Sequence, residues 1–171
     1  MNLPLNVEDL NTASPDTARP ELIRCCGSAR WADAILARRP YSSKDALFAA
    51  SDEIWQGLDR SDWLEAFSHH PKIGDVNSLR EKFASTSTWA EGEQKGVQSA
   101  DEKTLSGLAQ GNLDYEQKFG YIFIVCATGK SAGEMLALLE ARLPNSEGDE
   151  ILVAMQEQNK ITRIRLEKLL S

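Results

Sequence analysis

Only one stretch of this chain reads as a β-strand, and a strand needs a partner. Residues 121–127, Tyr-Ile-Phe-Ile-Val-Cys-Ala, are aromatic and β-branched in the manner of strands. No second run of this kind exists to pair with it, and one strand makes no sheet. The run is therefore read as a buried helical segment. Elsewhere the period is helical. Leu22, Ile23, Trp31, Ile35 and Leu36 fall at helix spacings on either side of a break near Gly27. Arg39-Pro40 is a stop, because the ring disfavours helix at the residue before it. Residues 42–57 read as a helix capped by Ser42 or Ser43, with Ala46, Leu47, Ala50 and Ile54 on one face. A short helix follows over 59–68. Residues 69–77 hold a Pro and a Gly close together and must form a loop.

Helical pattern returns over 79–83 and 88–96. Ser99 and Glu102 make a capping box for a helix reaching about Gln110, and residues 113–119 continue in helical style. Further helices are expected over 131–143, closed by Pro144, and over 149–170. The expected fold class is all-α: a single compact multi-helix domain of about seven to nine helices. It spans residues 1–171, with 1–18 as an irregular lead-in rich in Pro, Thr, Asn and Asp.

Composition narrows the function. The 171 residues carry a formal charge of −7, which argues against nucleic acid as the main partner. The longest apolar run is far shorter than the ~20 residues of a membrane span. The first residues lack the basic and apolar regions of a signal peptide, and the last three are not the peroxisomal signal. Three cysteines, with Cys25 and Cys26 adjacent, make a disulfide framework improbable. The expected location is cytoplasmic.

The two histidines are neighbours, His69 and His70, followed by Pro71. Adjacent ligands do not share a helix face, so no metal site is expected. Pro71 confines the backbone of His70 to extended angles and so fixes the direction of its ring. A fixed imidazole, titrating near ~6.5, suits proton donation or acceptance at neutral pH. The plainer alternative is a turn histidine. Ala90, Glu93 and Gln94 share one broad helix face beside Glu91, which could equally be a solvated acidic surface. On the last helix, Ile151, Ala154, Gln158, Ile161, Arg165 and Leu169 fall on one stripe, and Arg163 points to the other side. Arg165 interrupts an apolar face and needs an acceptor. An internal carboxylate, a bound anion or escape to the edge would each provide one.

Read as a string, the residues say more. His70-Pro71-Lys72-Ile73-Gly74-Asp75 is followed by Glu93-Gln94-x-Gly96-Val97. Then come Phe119-Gly120 with residues 121–125, and Lys160-Ile161-Thr162-Arg163-Ile164-Arg165-Leu166. This order and spacing resembles the 2-oxo-4-hydroxy-4-carboxy-5-ureidoimidazoline (OHCU) decarboxylases, in their bacterial form, over residues 20–170. Trp31 and Arg39-Pro40-Tyr41 resemble that family's lead-up to its His-Pro loop. The resemblance implies an all-α, cofactor-independent homodimer. It would convert OHCU to (S)-allantoin in urate catabolism, with a small-molecule ureidoimidazoline as its ligand. It also implies that His70 is the catalytic acid, with Glu93 and Arg165 completing the catalytic set. Pro71, Ala90, Glu91, Gln94, Tyr121, Ile122, Phe123, Ile124 and Val125 would bind the substrate. The family often has Ser where Ala90 stands, so either a hydroxyl contact is missing or a neighbour such as Thr88 or Glu91 supplies it. The alternatives are a noncatalytic helical ureide-binding protein and a helical interaction module.

Overall fold

The computed structural model describes residues 5–71, 77, 79 and 94–170, with the main chain alone for 94–101. Among these residues eight helices and no strand are found. They are α1 (Val7–Thr12), α2 (Pro15–Cys25), α3 (Ala29–Ala37), α4 (Lys44–Gln56) and α5 (Arg60–Ser68), then α6 (Gln94–Phe119), α7 (Ala132–Arg142) and α8 (Glu147–Leu169). None is long and apolar enough to cross a membrane. The expected helices over 79–83 and 88–93 lie outside the described residues, although Asn77 and Leu79 are helical and Leu79 is buried.

The chain divides into two compact units. One comprises Met1–His70 and Val153–Ser171, the other Pro71–Leu152. The first is built around Leu22, Trp31, Ile35, Leu47, Trp55, Phe67 and Ala154, all buried. Its helices start where short polar side chains take up orphan N–H groups: Ser14, Ser28 and Ser43 cap α2, α3 and α4. Two core indoles find acceptors. Trp31 Nε1 donates to Ser51 Oγ at 3.1 Å, and Trp55 Nε1 to the Met155 carbonyl at 2.8 Å. The second of these ties α4 to α8, and Asn159 adds a bond to Asp52 at 2.9 Å.

The irregular lead-in is not what is found. Asn6 makes a capping box with Asp9 that starts α1, and Ser14 with Pro15 starts α2. What holds so short a helix comes from far along the chain. Arg39 Nη1 donates to the carbonyls of Leu10 and Ala13 at 3.0 and 2.6 Å, and so takes up the C-terminal acceptors of α1. Asn11 exchanges two bonds with the Tyr41 main chain, at 2.9 and 2.7 Å, and Tyr41 Oη donates to the Ile35 carbonyl at 2.6 Å. The Arg39-Pro40-Tyr41 string, whose first peptide bond is cis, is thus a structural lock.

In the second unit, the break expected between residues 110 and 113 does not occur, and neither does a start at Ser99. One helix runs from Gln94 to Phe119. Gly107 and Gly111 do not interrupt it but let α7 come close. A Cβ at Gly107 would lie 3.1 Å from Leu136 Cδ2, and one at Gly111 only 2.5 Å from Leu139 Cδ2. The helix stops at Gly120, whose φ of 85° is ill suited to other residues. The helical reading of residues 121–127 is also overturned: Tyr121 is in a bend and residues 122–127 have no regular structure.

Candidate active site

His70 sits immediately beyond α5, so the placement of α5 decides its position. Asp59 and Asp62 form a capping box at the start of that helix. Arg30 Nη1 bonds Asp62 Oδ2 at 2.9 Å, and Glu65 Oε1 accepts from the Ala29 N–H at 3.1 Å. The first turn of α3 therefore holds α5 by an ion pair and by a cap from another element. At the far end the chain folds back tightly, with His69 N bonded to the Ala66 carbonyl and His70 N to that of Phe67, both at 3.2 Å. His69 packs against Gly27, where a Cβ would come within 2.3 Å of His69 Cγ. The break at Gly27 noticed in the sequence thus serves as a seat for this turn.

The His70 ring is held from α8. Its Nε2 lies 2.5 Å from Gln158 Oε1, and Gln158 Nε2 donates to Thr162 Oγ1 at 3.1 Å. Gln158 and Thr162 are both buried. Thr162 in turn touches the Cys26 thiol. Burial pushes Cys25 up to about 12 and Cys26 to about 11, with Arg165 pulling the other way on both, so the thiols are neutral.

Arg165 therefore belongs to the same neighbourhood. It is half-buried, and its Nη1 donates to the Arg24 carbonyl at 3.3 Å, one of the orphan acceptors at the end of α2. Its acceptor here is main chain. Arg163 is exposed, stacks over the Phe48 ring at 4.8 Å and lies 3.7 Å from Glu167. The assignment of these two arginines to opposite faces agrees with the sequence reading.

The second unit carries the segment from Tyr121 to Val125. A run with no regular structure must satisfy its main chain otherwise. Arg142 does this: its Nη1 donates to the Ile124 carbonyl at 2.7 Å. Arg142 is itself paired with the fully buried Glu150, at 2.5 Å from Nη2, and stacks on Phe123 with its guanidinium 4.5 Å from the ring centre. Tyr115 Oη donates to Glu150 as well, and burial together with that bond raises its pKa. Tyr115 also packs against Phe119, Tyr121 and Phe123 at ring distances of 4.6, 5.8 and 5.2 Å. Ile122, Phe123 and Val125 are half-buried, whereas Tyr121 and Ile124 are buried.

Ala90, Glu91 and Glu93 lie outside the described residues, and Gln94 is the first residue of α6. Pro71, expected to line the site, is exposed. The sequence reading singled out His70 and Arg165, and both now lie around Thr162 and Cys26. It did not single out Gln158, Thr162, Gly27 or the Tyr115–Arg142–Glu150 group. Gln158 carried the same signal as Arg165, a polar residue on an apolar stripe. Gly27 was noticed only as a break between helices, and nothing in their neighbouring residues marks Thr162 or the Tyr115–Arg142–Glu150 group. Among the described residues no group of three or more His, Cys, Asp or Glu side chains is gathered as a metal would need.

A helical chain that presents one restrained imidazole against a buried amide, with a guanidinium close by, has the makings of a proton-transfer site. The profile of the OHCU decarboxylase family matches residues 11–167. The chain is 39% identical over 149 residues to the uric acid degradation bifunctional protein TTL of Arabidopsis thaliana, covering 86% of this chain and 45% of that protein. It is 28% identical over 166 residues to the 2-oxo-4-hydroxy-4-carboxy-5-ureidoimidazoline decarboxylase of Halalkalicoccus jeotgali, covering 96% and 92%. A crystal structure of OHCU decarboxylase in the presence of (S)-allantoin superposes with a TM-score of 0.70 at 36% identity, covering 88% of this chain and 96% of that one. The chain belongs to the OHCU decarboxylase family. It spans less than half of the Arabidopsis relative and most of the Halalkalicoccus one.

Proposed function

We propose that this chain is a carboxy-lyase that converts OHCU to (S)-allantoin in urate catabolism, with His70 as proton donor. The observation that carries the reading is the restraint on His70. It is held by the turn at the end of α5 and by Gln158, within a chain whose family match spans residues 11–167.

The chemistry follows from the substrate. Loss of carbon dioxide leaves an electron pair at the former carboxyl carbon. Many decarboxylases need a cofactor to accept it. Here the ring carbonyl and nitrogen beside that carbon accept it as an enolate-like species. The protein must then orient the leaving carboxylate, stabilise charge on the ring and deliver a proton to one face. Protonated His70 serves the last two tasks, and one-sided delivery sets the S configuration. Glu93 and Arg165 complete the catalytic set in this reading. Pro71, Ala90, Glu91, Gln94 and the Tyr121–Val125 residues hold the ring. The reading takes the chain as one domain, working as a cytoplasmic homodimer. Sedimentation equilibrium tests the dimer.

The decisive experiment follows (S)-allantoin by circular dichroism, starting from urate with urate oxidase and the hydrolase that acts after it. Adding this protein is expected to give a rapid signed signal, and His70→Ala to abolish it while the far-ultraviolet helix signal stays. Slow decay to racemic allantoin with the unaltered protein would leave a ureide-binding protein instead. Full activity of His70→Ala would end the assignment of the acid.

A further inference from the structure

A fully buried amide needs partners at both ends, and Gln158 has them in His70 and Thr162. Turned over, the amide would offer an N–H to the ring and accept from the threonine. The function of His70 decides between the two. An imidazolium has no lone pair on either ring nitrogen, so it can only donate. The orientation found, carbonyl oxygen toward the ring, is the one a protonated His70 can use. The Thr162 hydroxyl and the neutral Cys26 thiol beyond it bring no competing charge.

We propose that Gln158 is a positioning residue that holds the His70 ring by Nε2–H, so that the proton delivered to the substrate leaves from Nδ1. The inference rests on His70 being the acid. An amide is neither acid nor base near neutral pH, so the Nε2 proton stays where it is. In the step itself the Nδ1–H bond breaks and its electron pair remains on Nδ1. The pair released by decarboxylation forms the new C–H bond. The neutral ring left behind is the Nε2–H tautomer, which Gln158 already binds, so the amide needs no rearrangement between turnovers.

Among the described residues, the charged and titratable groups of the surrounding elements include Glu21, Arg24, Cys25 and Cys26 on and at the end of α2, Asp62 and Glu65 on α5 with His69 just beyond it, and Glu157, Lys160 and Arg165 on α8. They are unchanged when Gln158 is replaced, so a difference between variants reports the amide.

The test is ring ¹⁵N NMR on histidine-labelled protein, beside steady-state kinetics. The protein has two histidines, and His69→Gln assigns the signals. Neutral His70 is expected to carry its proton on Nε2. Gln158→Leu should give a tautomer mixture and lower kcat by about tenfold to a hundredfold, with KM changed far less. Gln158→Glu should restore the Nε2–H tautomer and move the His70 titration upward by about one pH unit or more. Thr162→Val, which leaves the ring contact in place, guards against loss of fold in the first variant and should give a smaller loss in the same direction. An unchanged tautomer and wild-type kcat in Gln158→Leu would overturn the proposal. So would an Nδ1–H tautomer in the unaltered protein. If instead His70→Ala turns over normally, the acid reading fails, and the tautomer data still decide whether Gln158 orients the ring.

Discussion

Gly27 has no Cβ because the His69 ring occupies that place. Adding one brings contact with the root of the ring, not its tip, so relief requires the turn itself to move. Gly27→Ala is expected to cost about 1–3 kcal/mol, the usual range for overpacking a filled site. It should also lower kcat, because the same turn carries His70. Thermal denaturation alongside the dichroism assay checks both; a variant with unchanged Tm and turnover would show that the turn does not depend on this seat. At this scale the sequence marked two of the residues that the structure brings into one neighbourhood. His70-Pro71 and Arg165 stood out because each conflicts with its surroundings, the one by backbone restriction and the other by charge on an apolar stripe. Gly27 was legible only as a break between helices and Thr162 not at all, because the His69 ring and the Cys26 thiol that they touch are dozens of residues away.

Between elements, the Arg142–Glu150 pair is the main electrostatic commitment of the second unit. Both groups are buried, and the carboxylate also takes the Tyr115 hydroxyl. Removing one partner leaves the other charged and dry. Arg142→Met is therefore expected to destabilise by about 3–5 kcal/mol, and the double replacement Arg142→Met/Glu150→Met to recover part of that. Urea unfolding measures both; a loss below ~1 kcal/mol for the single change would mean that water reaches Glu150. The double variant should still bind substrate less well, because the Ile124 carbonyl loses its donor. Helix starts were legible at Ser43, Asp59 and Ser131, but the start at Ser14 was missed and the one expected at Ser99 falls inside α6. Two elements were not. The long α6 was read in pieces, one ending near Gln110 and one from residue 113, whereas it runs unbroken and Gly107 and Gly111 face Leu136 and Leu139 across a tight helix pair. Residues 121–127 were read as helix because no strand partner exists, and an arginine as substitute for a ladder has no sequence signature.

For the molecule as a whole, the buried thiols set an alkaline limit. Cys25 and Cys26 hold their protons in the folded state up to about 12 and 11, against an ordinary thiol value of 9.0. The folded chain thus binds protons that the unfolded chain releases above pH 9.0. Their contribution to stability is complete below that pH and declines as pH rises toward 11 and 12. Chemical denaturation across that window should show the decline, and Cys25→Ala/Cys26→Ala should flatten it. An identical slope in that variant would place the alkaline sensitivity elsewhere. A different hazard lies in the run that follows Gly120. Tyr-Ile-Phe-Ile-Val-Cys has the composition of a segment that stacks on copies of itself: apolar, β-prone, uncharged and free of proline. In the folded chain its main-chain carbonyls are occupied at Ile124 by Arg142 and at Cys126 by Lys130. Loss of those two contacts is expected to free the main chain of the run for such stacking, which a fibril-binding dye would register. Damage to the buried pair would then be met first as insoluble protein during expression, before any enzyme assay could register it.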